Sequence, residues 1–202
     1  MAALPLFTIG HSTRTSDELI RLLAEHGIER LVDVRRFPGS RRHPQFAREA
    51  LAGSLAAAAI EYLHEPDLGG RRQPLPDSPH TAWRVAAFRG YADYMGSPPF
   101  AVALARLLRL AAAAPTVILC AEAVPWRCHR RLIADAATVA GTEVVHILGP
   151  GRAERHELDP KARVVALGDG GGADAQGAGT RLVYNGGTPA PARLPFPGVS
   201  RG

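Results

Sequence analysis

Short apolar runs and longer amphipathic segments alternate along the chain. Five apolar runs predict β-strands at residues 6–9, 30–34, 60–64, 116–120 and 143–148. Apolar residues spaced three and four positions apart predict helices at residues 16–27, 45–58, 81–95, 100–114 and 125–141. Ser16 is suited to cap the first helix, and Gly27 is suited to end it.

Strands that are apolar throughout and that alternate with helices are typical of a parallel sheet covered on both faces. We therefore expect an α/β fold: a three-layer Rossmann-like sandwich with a mainly parallel five-stranded sheet, centred on residues 4–148 and forming a single domain over 1–166. Residues 167–202 are Gly/Ala/Pro-rich. There we predict an insertion at 168–179, a candidate strand at 181–185 that pairs with 162–167 as a short C-terminal hairpin, and a flexible, disordered tail.

Composition narrows the class of protein. No apolar run approaches the roughly 20 residues of a membrane span, so we expect no membrane association. Two cysteines and no signal-peptide pattern predict a cytoplasmic protein with free thiols. The oligomeric state stays open.

Positive charge is concentrated in one segment. The net charge is +5, and the stretch Arg30–Arg48 holds six arginines against a single acid, Asp33. Such a patch suits phosphate or another anion, although a solvated surface would also carry it.

Polar side chains follow the predicted strands at the point where each strand ends. Ligands of open parallel sheets bind beyond these carboxyl ends. The candidates at this rim are His11, Ser12, Arg14, Asp33, Arg35, Arg36, Arg41, Arg42, His43, His64, Asp67, Gly69, Gly70, Arg71, Arg72, Cys120, Glu122, Arg127, Cys128 and His129.

The segment "CAEAVPWRCHRR", residues 120–131, contains both cysteines. If a helix begins at Pro125, Cys128 lies in its first turns and is a candidate low-pKa thiolate, with packing as a small hydrophobic residue as the alternative. A phosphatase loop needs five residues between cysteine and arginine, whereas six separate Cys120 from Arg127. A zinc site and a disulfide are further alternatives.

Several motifs together resemble the bacterial family known as domain of unknown function 488. They are "TIGHSTR", "LVDVRRFPGSRRHPQF", "YLHEPDLGGRR", "FRGYADYM" and "CAEAVPWRCHRRLIA", and with "VVHIL" and "HELDPKARVV" the resemblance extends over about residues 5–166. It implies a Rossmann-like fold and no particular activity. Its characteristic positions correspond to Gly10, His11, Ser12, Asp33, Arg35, Pro38, His64, Leu68, Gly69, Gly70, Gly90, Tyr91, Cys120, Glu122, Cys128, His129 and Arg130.

These patterns favour an enzyme that acts on a phosphate-bearing substrate, either a nucleotide or a nucleic acid. The predicted reacting groups are Glu122, Asp33, His11, Cys128 and His129. The predicted substrate-binding residues are Ser12, Arg35, Arg36, Arg41, Arg42, His64, Gly69, Gly70, Tyr91 and Arg130. The alternatives are a nucleic-acid-binding module without catalysis and a Cys/His metal or thiol-redox site. The cofactor is unknown.

Overall fold

The parallel sheet forms the centre of the molecule. The structure is a computed structural model that describes residues 4–39, 42–166 and 180–185. The strands of the main sheet are β1 (Leu6–Gly10), β2 (Arg30–Asp33), β3 (Glu61–His64), β4 (Thr116–Cys120), β5 (Val144–Gly149) and β6 (Arg152–Arg155). Their order across the sheet is β3–β2–β4–β1–β5–β6. All pairings among the first five strands are parallel, which confirms the predicted parallel sheet.

The sixth strand is an addition that the sequence pattern does not predict. β6 pairs antiparallel with β5 at the edge of the sheet. All four of its residues are exposed, and its sequence RAER contains no apolar run. Backbone pairing with β5 holds this strand, and that pairing produces no hydrophobic signal.

Helices cover both faces of the sheet and complete the three predicted layers. The helices are α1 (Ser16–Glu25), α2 (Arg48–Ala57), α3 (Ala86–Met95), α4 (Pro98–Ala113) and α5 (Arg130–Val139). One apolar core contains residues of α1 and α2, and the other contains residues of α3, α4 and α5. Alternate residues of β4 join different cores, since Val117 and Leu119 belong to the first and Ile118 and Cys120 to the second.

The N-terminus of α1 differs by one residue from the prediction. Thr15 is the N-cap, one position before Ser16. The Thr15 hydroxyl accepts from the backbone N–H of Glu18 at 3.2 Å, and the Glu18 carboxylate accepts from the Thr15 N–H at 2.7 Å. This reciprocal capping box satisfies two backbone donors at the start of the helix, which a cap at Ser16 would not do with this glutamate.

The prediction that a single helix covers residues 125–141 is wrong at its start. Pro125–Arg127 forms a 3₁₀ turn, and α5 begins only at Arg130. Between them Cys128 is extended, with φ −133° and ψ 145°. Cys128 therefore lies before the helix and not within its first turn.

The predicted C-terminal hairpin is present. Strands β7 (Ala162–Ala166) and β8 (Thr180–Tyr184) pair antiparallel. The buried Tyr184 hydroxyl donates to Asp135 of α5 at 2.8 Å, which attaches the hairpin to the domain. Asp135 also ends a buried chain of hydrogen bonds through His156 and His146 to Thr8. This network lies away from the carboxyl ends of the strands, and the sequence pattern does not predict it.

The Gly/Ala-rich insertion at 168–179 and the tail at 186–202 lie outside the described residues, so the predicted insertion and the predicted disorder of the tail stay predictions. Among the helices that the structure describes, none has both the length and the apolar composition that a membrane crossing requires.

Candidate functional site

A cavity of about 440 Å³ opens at the carboxyl ends of the central strands. His11 follows β1, Arg36 follows β2, and Cys120 is the last residue of β4; all three line it. β1 and β4 are neighbours, yet α1 follows β1 on one face of the sheet and α5 follows β4 on the other. The chain thus diverges between these strands, which is where open parallel sheets bind ligands.

A cluster of Cys120, Cys128 and His129 forms part of the cavity wall. The Nδ1 atom of His129 lies 3.7 Å from the sulfur of Cys120 and 3.7 Å from that of Cys128. The other ring nitrogen, Nε2, lies 3.2 Å from the carbonyl oxygen of Val34. Because a carbonyl only accepts, Nε2 carries the proton, and the lone pair of Nδ1 faces the two sulfurs.

The two thiols differ in acidity, and Cys120 is the more acidic. A hydrogen bond from Cys128 is the main factor that lowers the pKa of Cys120 well below its ordinary value, and the charge of Arg130 lowers it further. Burial raises the pKa of the Cys128 thiol well above its ordinary value. The candidate thiolate of the sequence analysis is Cys128, whereas this geometry favours a thiolate at Cys120.

Arg130 holds the loop that separates the two cysteines. Its fully buried guanidinium donates to the carbonyl oxygens of Glu122 at 2.5 Å and Ala123 at 2.8 Å. The loop crosses β1 so closely that a β-carbon at Gly10 would overlap the carbonyl oxygen of Glu122. Arg130 is therefore a positioning residue in this structure, and its two terminal nitrogens donate to protein carbonyls. The Glu122 side chain is exposed and lines the cavity.

Asp33 and Arg35 form a buried ion pair beneath the cavity. The Asp33 carboxylate has no exposed surface and accepts from Arg35 Nε at 2.8 Å, from Arg35 Nη2 at 2.5 Å and from the Tyr62 hydroxyl at 2.9 Å. Nη1 of Arg35 donates to the carbonyl oxygen of Phe46 at 2.9 Å. Asp33 is thus saturated by protein donors and does not line the cavity, whereas Arg35 lines the cavity and donates hydrogen bonds to Asp33 and to the Phe46 carbonyl oxygen. The hydrogen bonds of both residues therefore stabilise the protein around the cavity.

His11 is a neutral imidazole whose second ring nitrogen can accept a proton. Its Nδ1 is 2.9 Å from the carbonyl oxygen of Ser12, so Nδ1 carries the proton. Nε2 is then unprotonated, and Nη1 of Arg35 lies 3.4 Å from it. Burial is the main reason that the pKa of His11 is lowered, and the ring stacks on Phe46 with centroids 4.3 Å apart.

Three exposed arginines surround the opening of the cavity: Arg36, Arg71 and Arg127. Arg36 is a predicted binding residue, whereas Arg71 and Arg127 were rim candidates that were not chosen as binding residues. Arg71 belongs to the predicted rim motif "HEPDLGGRR", so its position after β3 was a usable signal. Arg42 is exposed but does not line the cavity, and Arg41 lies outside the described residues.

The remaining predicted residues surround this cavity without all facing it. His64 Nε2 donates to the carbonyl oxygen of Arg35 at 2.9 Å, and the Tyr91 hydroxyl donates to that of Leu68 at 2.8 Å. Ser12 has a left-handed backbone with φ 51° and does not line the cavity.

Two predicted glycines allow close packing beside the site. A β-carbon at Gly69 would lie 2.8 Å from the Cα of Arg36, and one at Gly70 would lie 3.0 Å from Nδ1 of His129. Gly70 also lines the cavity. Both glycines therefore give the segment after β3 its close approach to the arginine and to the Cys/His cluster.

Fold and site together define an α/β protein of Rossmann-like architecture with a polar cavity at the carboxyl ends of its parallel strands. The chain belongs to the family described as domain of unknown function DUF488, whose model matches residues 15–137, more than half of the chain. The match confirms the resemblance inferred from the motifs, and it includes Asp33, Cys120 and Cys128. No curated protein and no solved structure matches the chain.

Proposed function

We propose that this protein is a cytoplasmic enzyme that acts on a phosphate-bearing substrate, a nucleotide or a nucleic acid, in the cavity described above. The observation that carries the proposal is the charge around the opening. Arg36, Arg71 and Arg127 are exposed there, and Glu122 is the only acidic side chain among the described residues that line the cavity. Arginine suits phosphate because its planar guanidinium donates two parallel hydrogen bonds to phosphate oxygens.

Acid–base chemistry is available beside these arginines. His11 lines the cavity with Nε2 unprotonated, and its lowered pKa keeps the ring neutral and able to accept a proton at neutral pH. Glu122 lines the same cavity and is exposed, so its carboxylate is accessible to a substrate. We assign His11 as the general base and Glu122 as its acid–base partner.

Aromatic side chains favour a nucleotide over phosphate alone. Phe37 is 65% exposed at the cavity, and Phe88 lines it as well. The guanidinium of Arg36 lies 5.7 Å from the centre of the Phe37 ring. The exposed Phe37 ring beside Arg36 provides a stacking surface for a base next to donors for its phosphate.

The first experiment identifies a ligand. A panel of nucleoside phosphates and short single-stranded oligonucleotides is screened by thermal shift. A ligand present at 100 times its Kd stabilises the folded protein by about 2.7 kcal/mol. If no member of the panel raises Tm, the phosphate-substrate proposal fails.

The second experiment tests the arginines with a matched control. For an oligonucleotide ligand, the double variant Arg36→Ala and Arg71→Ala should reduce the salt slope by up to about 0.7 per lost contact. The control is Arg152→Ala, because Arg152 is exposed on β6 and is paired with Glu154 away from the cavity. An equal effect of the control would show that binding depends only on total charge.

The third experiment separates an enzyme from a binding module. His11→Gln should retain ligand binding and reduce turnover by about 100-fold or more. If wild-type protein binds oligonucleotides but converts none of them, the non-catalytic nucleic-acid-binding module replaces the enzyme.

A further inference from the structure

We propose that Cys120, Cys128 and His129 bind one zinc ion, with the fourth coordination position open to the cavity. The three ligand atoms come from the end of β4, the extended residue before α5 and the N-cap of α5. They lie within 4.8 Å of one another. This inference goes beyond the proposed function, because the ion would bind whether or not the cavity turns over a substrate.

The two nitrogen–sulfur distances agree with tetrahedral coordination of zinc. Zinc binds thiolate sulfur at about 2.3 Å and histidine nitrogen at about 2.0–2.1 Å, so tetrahedral geometry separates sulfur from nitrogen by roughly 3.5–3.6 Å. In this protein Nδ1 of His129 lies 3.7 Å from each sulfur. Each nitrogen–sulfur distance therefore exceeds the tetrahedral value by only one or two tenths of an ångström.

The equal distances from Nδ1 of His129 to the two sulfurs also argue against an ordinary hydrogen bond between the ring and one thiol. Nδ1 has a single lone pair, and two thiol groups lie at the same distance from it. A thiol hydrogen bond can satisfy one of these contacts, whereas a metal ion at the centre satisfies the nitrogen and both sulfurs together. The hydrogen bond from Nε2 to the carbonyl oxygen of Val34 orients the ring as outer-shell partners orient the histidines of zinc sites.

Charge and donor type favour zinc. Binding breaks both S–H bonds, releases the two protons to solvent and forms two Zn–S bonds and one Zn–N bond. Two thiolates balance the charge of a divalent zinc ion, so the occupied cluster is neutral and its burial costs less than that of a lone thiolate. Two soft thiolates and an imidazole are donors that select zinc over magnesium or calcium.

The open position distinguishes this site from a closed structural one. No fourth histidine, cysteine, aspartate or glutamate joins the cluster among residues 4–39, 42–166 and 180–185. All three ligands line the cavity that contains His11 and the exposed arginines. Three protein ligands plus a position for water or substrate is the pattern of catalytic zinc sites. Coordination of a substrate oxygen at this position rests on the proposed function.

The test uses the full chain, purified with reductant and stripped of metal. One equivalent of zinc should bind and release about two protons. Cobalt(II) in its place should show a thiolate charge-transfer band and intense tetrahedral d–d bands. Cys120→Ser, Cys128→Ser and His129→Ala should each weaken zinc affinity by more than the roughly 10- to 100-fold that an outer-shell partner contributes. His11→Gln is the matched control, since it changes the same cavity and should leave zinc affinity unchanged.

A measurement on the wild type keeps the test valid even if the variants do not fold. Zinc should slow the reaction of both thiols with an alkylating reagent by at least about 10-fold. The proposal is overturned if the reduced wild type binds no stoichiometric zinc, or if both thiols react equally fast with and without it. A protein isolated with a Cys120–Cys128 disulfide that binds no zinc after reduction would instead be a thiol-redox site. Zinc binding without any nucleotide or oligonucleotide ligand would refute the proposed function and leave the zinc site standing.

Discussion

Replacing Asp33 with asparagine distinguishes a structural carboxylate from a catalytic one. Asp33 is completely buried and accepts three side-chain hydrogen bonds and a backbone hydrogen bond from Arg35, together with one from the Tyr62 hydroxyl. The asparagine side chain would keep one oxygen but turn an NH₂ group toward these donors. Arg35, which is only 7% exposed, would then lose the counter-charge of its guanidinium.

The expected cost follows from this geometry. Breaking one partner of a buried ion pair costs about 3–5 kcal/mol. For a protein of this size, each kcal/mol lowers Tm by about 2–4 °C, so Asp33→Asn should lower Tm by roughly 6–20 °C. Tyr62→Phe removes a single hydrogen bond to the same carboxylate and should cost about 1 kcal/mol.

The assay is urea and thermal unfolding followed by circular dichroism. The matched control is Glu61→Gln, which breaks the pair between Glu61 and Arg30 on the adjoining strands β3 and β2. The Glu61 side chain is 50% exposed, so this variant should cost at most about 1 kcal/mol. The structural role of Asp33 is refuted if Asp33→Asn costs no more than the control while activity is lost, because Asp33 would then act on the substrate.

Two further predictions concern pH and the loop over β1. Burial, followed by His156, lowers the pKa of His146 to about 3, below the ordinary value of 6.5. The unfolded state therefore binds more protons between these values, and the free energy of unfolding should fall by up to about 1.4 kcal/mol per pH unit below 6.5. Urea unfolding between pH 7 and pH 4 should show a shallower slope for His146→Gln; equal slopes would contradict this account. Gly10→Ala should lower the free energy of unfolding by at least about 1–3 kcal/mol and should weaken ligand binding, because the β-carbon of the alanine would overlap the Glu122 carbonyl oxygen. Gly39→Ala is the control, since that cavity residue has nothing within 4 Å of a β-carbon, and equal Tm values for the two variants would show that the loop yields freely.

The main features of the fold could be predicted because they depend on local patterns. Each of the five parallel strands is a short apolar run, and each helix has an apolar stripe. The C-terminal hairpin could be predicted for the same reason. The exposed edge strand β6 was missed, since its pairing with β5 uses backbone groups and its side chains carry no apolar pattern.

The position of the site was also accessible from the sequence. Polar residues at the ends of successive parallel strands must lie at one edge of the sheet, and His11 and Cys120 do so. Arg71 was also a rim candidate and lines the cavity, but it was not chosen as a binding residue, since a surface arginine and a binding arginine have the same sequence signal. Phe37 was not among the predicted site residues, because the sequence does not indicate whether an apolar residue in a loop is buried or exposed.

What each polar residue does was decided by tertiary structure alone. Asp33 and Arg35 use their hydrogen-bonding groups on each other, and Arg130 uses its own on the loop carbonyls. From the sequence, Asp33 was predicted to be catalytic, and Arg35 and Arg130 were predicted to bind substrate. The sequence could not assign their partners, because a side chain's partner depends on distances between groups that the chain brings together from distant positions.

For the Cys/His cluster, too, the sequence determines the location and the tertiary structure determines the geometry. By itself, the sequence determined that both cysteines and His129 lie near the carboxyl end of one apolar strand. Only the tertiary structure decided that the helix begins at Arg130, after Cys128, and that the two sulfurs are equidistant from Nδ1. The orientation of that ring depends on the carbonyl group of Val34, which is 95 residues away along the chain. A periodic pattern records which residues are buried, whereas the direction of a lone pair is set by a neighbour that only folding supplies.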